Sequence, residues 1–127
     1  MIAPIDRFTS VPNVAEAVTS GAGFDIQGAA NATIDVLTDI PCAFAKSIEV
    51  FFLCASQPIQ HIIIKSYAAN RTISVQTQVT GAVAANTPIS VTFNGPFGQT
   101  YDVQVQLKAG AATPANTFAI VWTAAKA

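Results

Sequence analysis

Two stretches of strict alternation constrain this chain more than any other feature. Tyr101, Val103, Val105 and Leu107 occupy one parity, and Asp102, Gln104, Gln106 and Lys108 the other. Ile73, Val75, Thr77 and Val79 alternate in the same way with Ser74, Gln76, Gln78 and Thr80. Successive side chains of a strand point to opposite sides of its sheet, so a period of two predicts strands with one buried and one polar face. The polar parity is mostly Gln, Thr and Ser, and charged residues make up only 10% of the chain, against a usual ~25%. A surface so poor in charge suits a protein held in an assembly, because little repulsion keeps copies apart.

Similar signals recur along the chain from Ala32 onward. Strands are predicted near 33–39, 47–55, 60–67, 72–80, 88–94, 99–108 and 117–124, with a short eighth piece at 23–27. Turn-formers punctuate them, among them Pro41, Pro58, Asn70, Gly81, Asn94-Gly95-Pro96, Gly98, Gly110 and Pro114. Short strands at this spacing predict an all-β antiparallel sandwich, either a jelly roll or an immunoglobulin-like fold. The last four strands read as consecutive hairpins joined at 81–87, 95–98 and 109–116. Phe52, Val75, Phe93, Val105, Ile120 and Trp122 are the expected shared core. A chain of 127 residues that is 51% hydrophobic can build such a core without a metal or a disulfide. Cys42 and Cys54 are therefore expected as free, buried thiols.

The first 30 residues differ in character. They carry Pro4, Pro12, Gly21, Gly23 and Gly28 without a sustained period, so the division expected is an extended N-terminal arm over 1–30 and a sandwich over 31–127. Asn13-Val14-Ala15-Glu16 also fits a short capped helical turn. Ile2, Ile5, Phe8 and Val11 space apolar groups along the arm, and a purely solvated tail has no use for them. They are the expected anchors to a partner, the opposing reading being an arm folded back on its own domain.

Two runs break the alternation. Val50-Phe51-Phe52-Leu53 and Ile62-Ile63-Ile64 are apolar on both parities, so one face of each needs cover that a two-layer sandwich does not supply. Phe51 and Leu53 are therefore further expected contacts, covered by the arm or by a neighbouring subunit. Phe97, in Asn94-Gly95-Pro96-Phe97-Gly98, is the expected exposed tip of a recognition loop, with Tyr67 and Tyr101 as possible companions. The opposing reading makes Phe97 a cap on the end of the core.

Chemistry is harder to find. His61 is the only histidine and sits in an apolar strand, where a structural role is expected, and no G-x-S-x-G elbow accompanies it. His61, Cys42 and Cys54 are too few for a zinc site, and no D-x-D-x-D-G loop suggests calcium. Asp35 and Asp39 share a parity, yet two carboxylates without a shaped cleft are read as solvated strand positions. No catalytic residue, metal or cofactor is expected. Six scattered Lys and Arg in a chain of net charge −1 cannot neutralise a nucleic-acid backbone. No apolar run approaches the ~20 residues of a membrane span, and Asp6 and Pro4 disfavour a secretory leader.

A β-sandwich from Thr33 to Ala124, an apolar-anchored arm from Met1 to about Ala30 and very low charge together resemble the capsid decoration (cement) proteins of tailed bacteriophages. The resemblance implies a non-enzymatic virion protein, made in the host cytoplasm, that binds the outside of a shell. It implies homo-oligomers such as trimers, with capsid or other virion proteins as partners and the arm reaching across shell subunits. Two other classes fit the same residues. One is a receptor- or glycan-binding fibre module that uses the 94–101 loop, and the other is a shell or tube subunit that assembles by itself.

Overall fold

Among residues 13–127, which the computed structural model describes, every regular element is a strand. In chain order these are β1 (Asn13–Val18), β2 (Phe24–Asp25), β3 (Thr33–Pro41), β4 (Ser47–Cys54), β5 (Ile59–Ala68), β6 (Ile73–Val79), β7 (Ile89–Asn94), β8 (Thr100–Leu107) and β9 (Phe118–Lys126). The predicted runs thus become strands within a residue or two of the expected bounds. The Asn13–Glu16 stretch is strand, not a helical turn, because its backbone pairs with the end of β9.

The strands form two antiparallel sheets. One has the order β1-β9-β4-β7, with β2 alongside β9, and the other β3-β8-β5-β6. Only β5 and β6 are joined as a hairpin; the other successive long strands lie in opposite sheets. The hairpins expected among the last four strands are therefore absent, since β6 and β8 belong to one sheet and β7 and β9 to the other. Repeated crossing between a five-stranded and a four-stranded layer is the jelly-roll arrangement. It resolves the choice against an immunoglobulin-like order, whose sheets carry more sequential neighbours.

Residues 13–18 and 24–25, inside the stretch expected as arm, are members of the first sheet. They run along the same edge of β9, separated by a turn at 19–23. Gly23 has φ +92°, and a Cβ there would lie 2.8 Å from the Ala119 carbonyl oxygen, so the close approach of the turn to β9 requires glycine. Ile2, Ile5, Phe8 and Val11 lie outside the described residues.

The core is built from the inward parity of both sheets, with Ile48, Val50 and Phe52 of β4 against Ile62 and Ile64 of β5 and Tyr101, Val103, Val105 and Leu107 of β8. Cys42 and Cys54 are free and buried, as expected. Phe93 also joins the core, and Val75 is half-buried. β9 departs from expectation: Ala119, Val121, Thr123 and Ala125 face inward, while Phe118, Ile120 and Trp122 take the other parity. The bulky side chains of the last strand are on the outside.

Candidate functional site

The parity of β9 creates an apolar outer face. In an antiparallel pair, directly opposed residues share one side of the sheet. Val18 of β1 opposes Trp122, Trp122 opposes Phe51 of β4, and Ile120 opposes Leu53. Phe118 continues the row beside β2. Val18 is 63% exposed, Phe118 44% and Ile120 41%; Phe51, Leu53 and Trp122 are half-buried. One margin is polar, where Lys126 Nζ lies 3.7 Å from Glu49 Oε1, and Ser90 follows Phe51 toward the β7 edge. Six large apolar side chains on one sheet face form a contiguous patch, unlike singly scattered surface hydrophobes. Sequence reading singled out Phe51 and Leu53. It missed Val18, Phe118, Ile120 and Trp122, because an apolar run does not say which parity the core takes.

The second apolar run resolves differently. Ile62 and Ile64 enter the core, and Ile63, on the outer parity beside Val79 and Gln104, is still only 9% exposed.

Phe97 is not an exposed tip. It is 2% exposed in the core, at the end of a segment that begins with a cis Gly95–Pro96 peptide. Gly98 fixes this entry: its amide donates to Ser66 Oγ at 2.6 Å, and its carbonyl accepts from the Cys42 thiol at 3.0 Å and the Phe44 amide at 2.8 Å. Burial raises the Cys42 thiol above its ordinary range, against backbone hydrogen bonds that lower it. Tyr101 is fully buried, and the Tyr67 ring lies under the Arg71 guanidinium, whose Cζ is 4.4 Å from the ring centroid. Tyr101 is therefore closed to any partner, and Tyr67 has one ring face taken by Arg71. His61 is half-buried with Nδ1 2.7 Å from the Thr80 carbonyl oxygen, a structural placement.

A polar cleft of about 350 Å³ opens at the end of the sandwich where the β3–β4, β5–β6 and β7–β8 loops meet; Asp39, Asn70, Arg71, Gln99 and Thr100 line it. Arg71 is held from below by Asp102, with Nη1–Oδ1 2.8 Å and Nη2–Oδ2 2.7 Å. Its Nη1 also lies 3.5 Å from Asp39 Oδ1. Burial alone would raise the Asp102 carboxyl, but the Arg71 hydrogen bonds and the Asp39 amide at 2.8 Å outweigh it and hold the carboxyl below its ordinary range. Asp39 has φ +59°, and Ala69, Asn70 and Arg71 have φ +52°, +54° and +69°. Asp35 and Asp39 do not act as a pair: irregularities in the β3 register fall between them, and Asp35 accepts a hydrogen bond from Gln104 at 2.7 Å. Among the described residues no cluster of His, Cys, Asp and Glu is arranged to hold a metal ion.

No family model and no curated protein matches the sequence. Solved structures do match the fold. A chain of the infectious bursal disease virus Gx strain is similar with a TM-score of 0.53 and 15% identity, over 92% of this chain and 33% of that one. The fold likeness is to a viral capsid. A chain of the viral particle of the same virus gives a TM-score of 0.51 at 10% identity, over 92% of this chain and 32% of that one. Its VP2 subviral particle gives 0.50 at 13% identity, over 90% and 33%. This chain spans about a third of the length of the capsid chains it matches, and at such identities the likeness is one of fold.

Proposed function

We propose that this protein is a structural, non-enzymatic component of a virion, and that it acts as a capsid decoration protein. The observation that carries the reading is the apolar outer face of Val18, Phe51, Leu53, Phe118, Ile120 and Trp122. On a lone domain, much of Val18, Phe118 and Ile120 stays in water. A domain that seats this face on a neighbouring virion protein buries it, at about 25 cal/mol for each Å² removed from water. Capsid chains share the jelly-roll architecture, and a chain only 10% charged meets little repulsion on close assembly. Residues 1–12 directly precede the edge strand of the same sheet in sequence, and in this reading Ile2, Ile5, Phe8 and Val11 add to the contact as arm anchors. Many copies on a repeating shell would multiply a modest single contact by avidity.

The test is the solution mass and particle size of the full-length protein, of an Ile120→Asp/Phe118→Asp variant and of a variant lacking residues 1–12. Removal through residue 12 leaves β1 in place. A decoration protein forms a small oligomer alone and binds an assembled shell, and either change weakens that binding while circular dichroism stays that of a folded sandwich. Large particles from the protein alone would make it a principal shell or tube subunit instead. A monomer that binds no virion protein, with both variants behaving like the parent, would overturn the assembly reading.

A further inference from the structure

The loop-end cleft is lined from the β3-β8-β5-β6 sheet and its loops, whereas the apolar outer face belongs to the other sheet. We propose that the cleft binds a neutral saccharide unit. The wall offers an unusual mixture of partners at short range. Asp39 presents a largely exposed carboxylate that accepts, with the Arg71 guanidinium beside it as a donor. Gln99 spends Oε1 on the Ala69 amide at 3.0 Å, which leaves its amide N–H groups to donate. Asn70 and Thr100 add one exposed amide and one half-buried hydroxyl. Each hydroxyl of a sugar both donates and accepts, so adjacent hydroxyls are matched by a wall of alternating donors and acceptors.

Charge selects against other small ligands. Arg71 is already engaged by Asp102 in a bidentate pair and faces Asp39 as well, and Lys65 stands opposite Asp102 and acts on its carboxyl. Two cations thus balance two carboxylates, and an anion would meet the Asp39 carboxylate with no net positive charge to hold it. The guanidinium in turn opposes an ammonium or a metal cation. A neutral polyhydroxylated ligand meets neither penalty. An exposed aromatic residue is joined to the cleft wall through its backbone: Phe44 is 64% exposed, and its amide donates to the carbonyl of Gly98, the residue before Gln99 of the wall. Apolar C–H faces of sugars stack on such rings. The backbone around the site is costly to maintain, because Asp39, Phe44, Ala69, Asn70 and Arg71 all hold positive φ without being glycine. Conformations of this kind gather at binding and active sites. The volume of about 350 Å³ is at the lower end of ligand pockets, which start at roughly 300 Å³, as suits one sugar ring.

The experiment is a titration of the ¹⁵N-labelled full-length protein with glucose, galactose, mannose and N-acetylglucosamine, followed by amide shifts. At least one sugar is expected to move Asn70, Arg71, Gln99 and Thr100 in a saturable way. Phe44→Ala and Asn70→Ala, both at exposed positions, should each weaken that binding by about fivefold, the loss of one contact, with the remaining spectrum unchanged. Shifts of the cleft amides with inorganic phosphate or calcium in place of sugars would overturn the assignment. So would sugar-induced shifts confined to Val18, Ile120 and Trp122, or none with any of the four sugars. Shell binding is measured separately, so failure here leaves the assembly reading intact.

Discussion

Tyr101 Oη lies 2.6 Å from Thr123 Oγ1 in the middle of the sandwich, joining β8 of one sheet to β9 of the other. Both residues are fully buried. The bond explains a polar Thr on the inward parity of β9: a Tyr hydroxyl taken into the core needs a partner. Tyr101→Phe strands the Thr123 hydroxyl and is expected to cost about 1–3 kcal/mol. Adding Thr123→Val removes the stranded group, so the double variant should recover much of that loss. Urea unfolding of the two single variants and the double variant measures it; additive losses would mean that the two hydroxyls do not depend on each other.

The same burial pushes the Tyr101 phenol up to about 12, with the Thr123 bond acting in the opposite sense. A raised tyrosine favours the folded state while it stays protonated. Its contribution is complete below the unfolded value of about 10 and is lost as pH rises toward the folded one. Wild-type stability should therefore fall between about pH 10 and 12, with a slope approaching 1.4 kcal/mol per pH unit from this group. Tyr101→Phe should flatten that limb. Equal alkaline slopes in urea midpoints for the two proteins would contradict the assignment.

Asp102 governs the acid side. Its carboxyl is held low in the fold by Arg71 and the Asp39 amide despite burial, so its stabilisation is present above the unfolded value of about 3.9 and is lost as pH falls through the lower folded value. Asp102→Asn should lower the melting temperature at neutral pH. Its loss of stability below about pH 4 should also be shallower than in the parent. Thermal unfolding across the acid range compares the two, and parallel curves would remove Asp102 from the account.

Gly98 is required by space. A Cβ at this position would stand 2.3 Å from the Tyr67 carbonyl oxygen and 2.6 Å from its carbon, and both are backbone atoms of β5 that cannot step aside. Gly98→Ala is expected to cost at least about 1–3 kcal/mol, the usual range for overpacking. It should also release Phe97 from the core and the Cys42 thiol from its bond to the Gly98 carbonyl. Faster reaction of Cys42 with a thiol reagent, alongside a lower urea midpoint, is the expected result; an unchanged protein on both counts would show that the loop can shift.

The positions of the strands were legible because alternation and turn-formers act locally. A residue such as Val105 faces the core for reasons that its own neighbours in sequence display. Phe97 stood between two readings, since a Phe between Pro and Gly fits a loop tip or a core cap, and its burial beside Gly98, packed against Tyr67, decides for the cap. The apolar face was half legible: Phe51 and Leu53 announce themselves in an unbroken run, whereas Ile120 and Trp122 look like core. The cleft was not legible at all. Asp39, Arg71 and Thr100 are far apart in sequence and each is unremarkable alone.

By itself, the sequence determined an all-β sandwich, the span of most of its strands and a surface with little charge. These follow from side-chain period, turn chemistry and composition, which are properties of short segments. Tertiary structure alone decided that β6 to β9 cross between sheets in a jelly roll, because a strand's partner is chosen by distant strands and not by the next turn. It also decided the parity of β9. Between 118 and 124 both parities are apolar enough to be buried. The opposite sheet broke the tie: the large Tyr101 leaves room in β9 for Ala and Thr, and its hydroxyl calls for Thr123. That choice turned Phe118, Ile120 and Trp122 outward and made the face on which the proposed assembly rests.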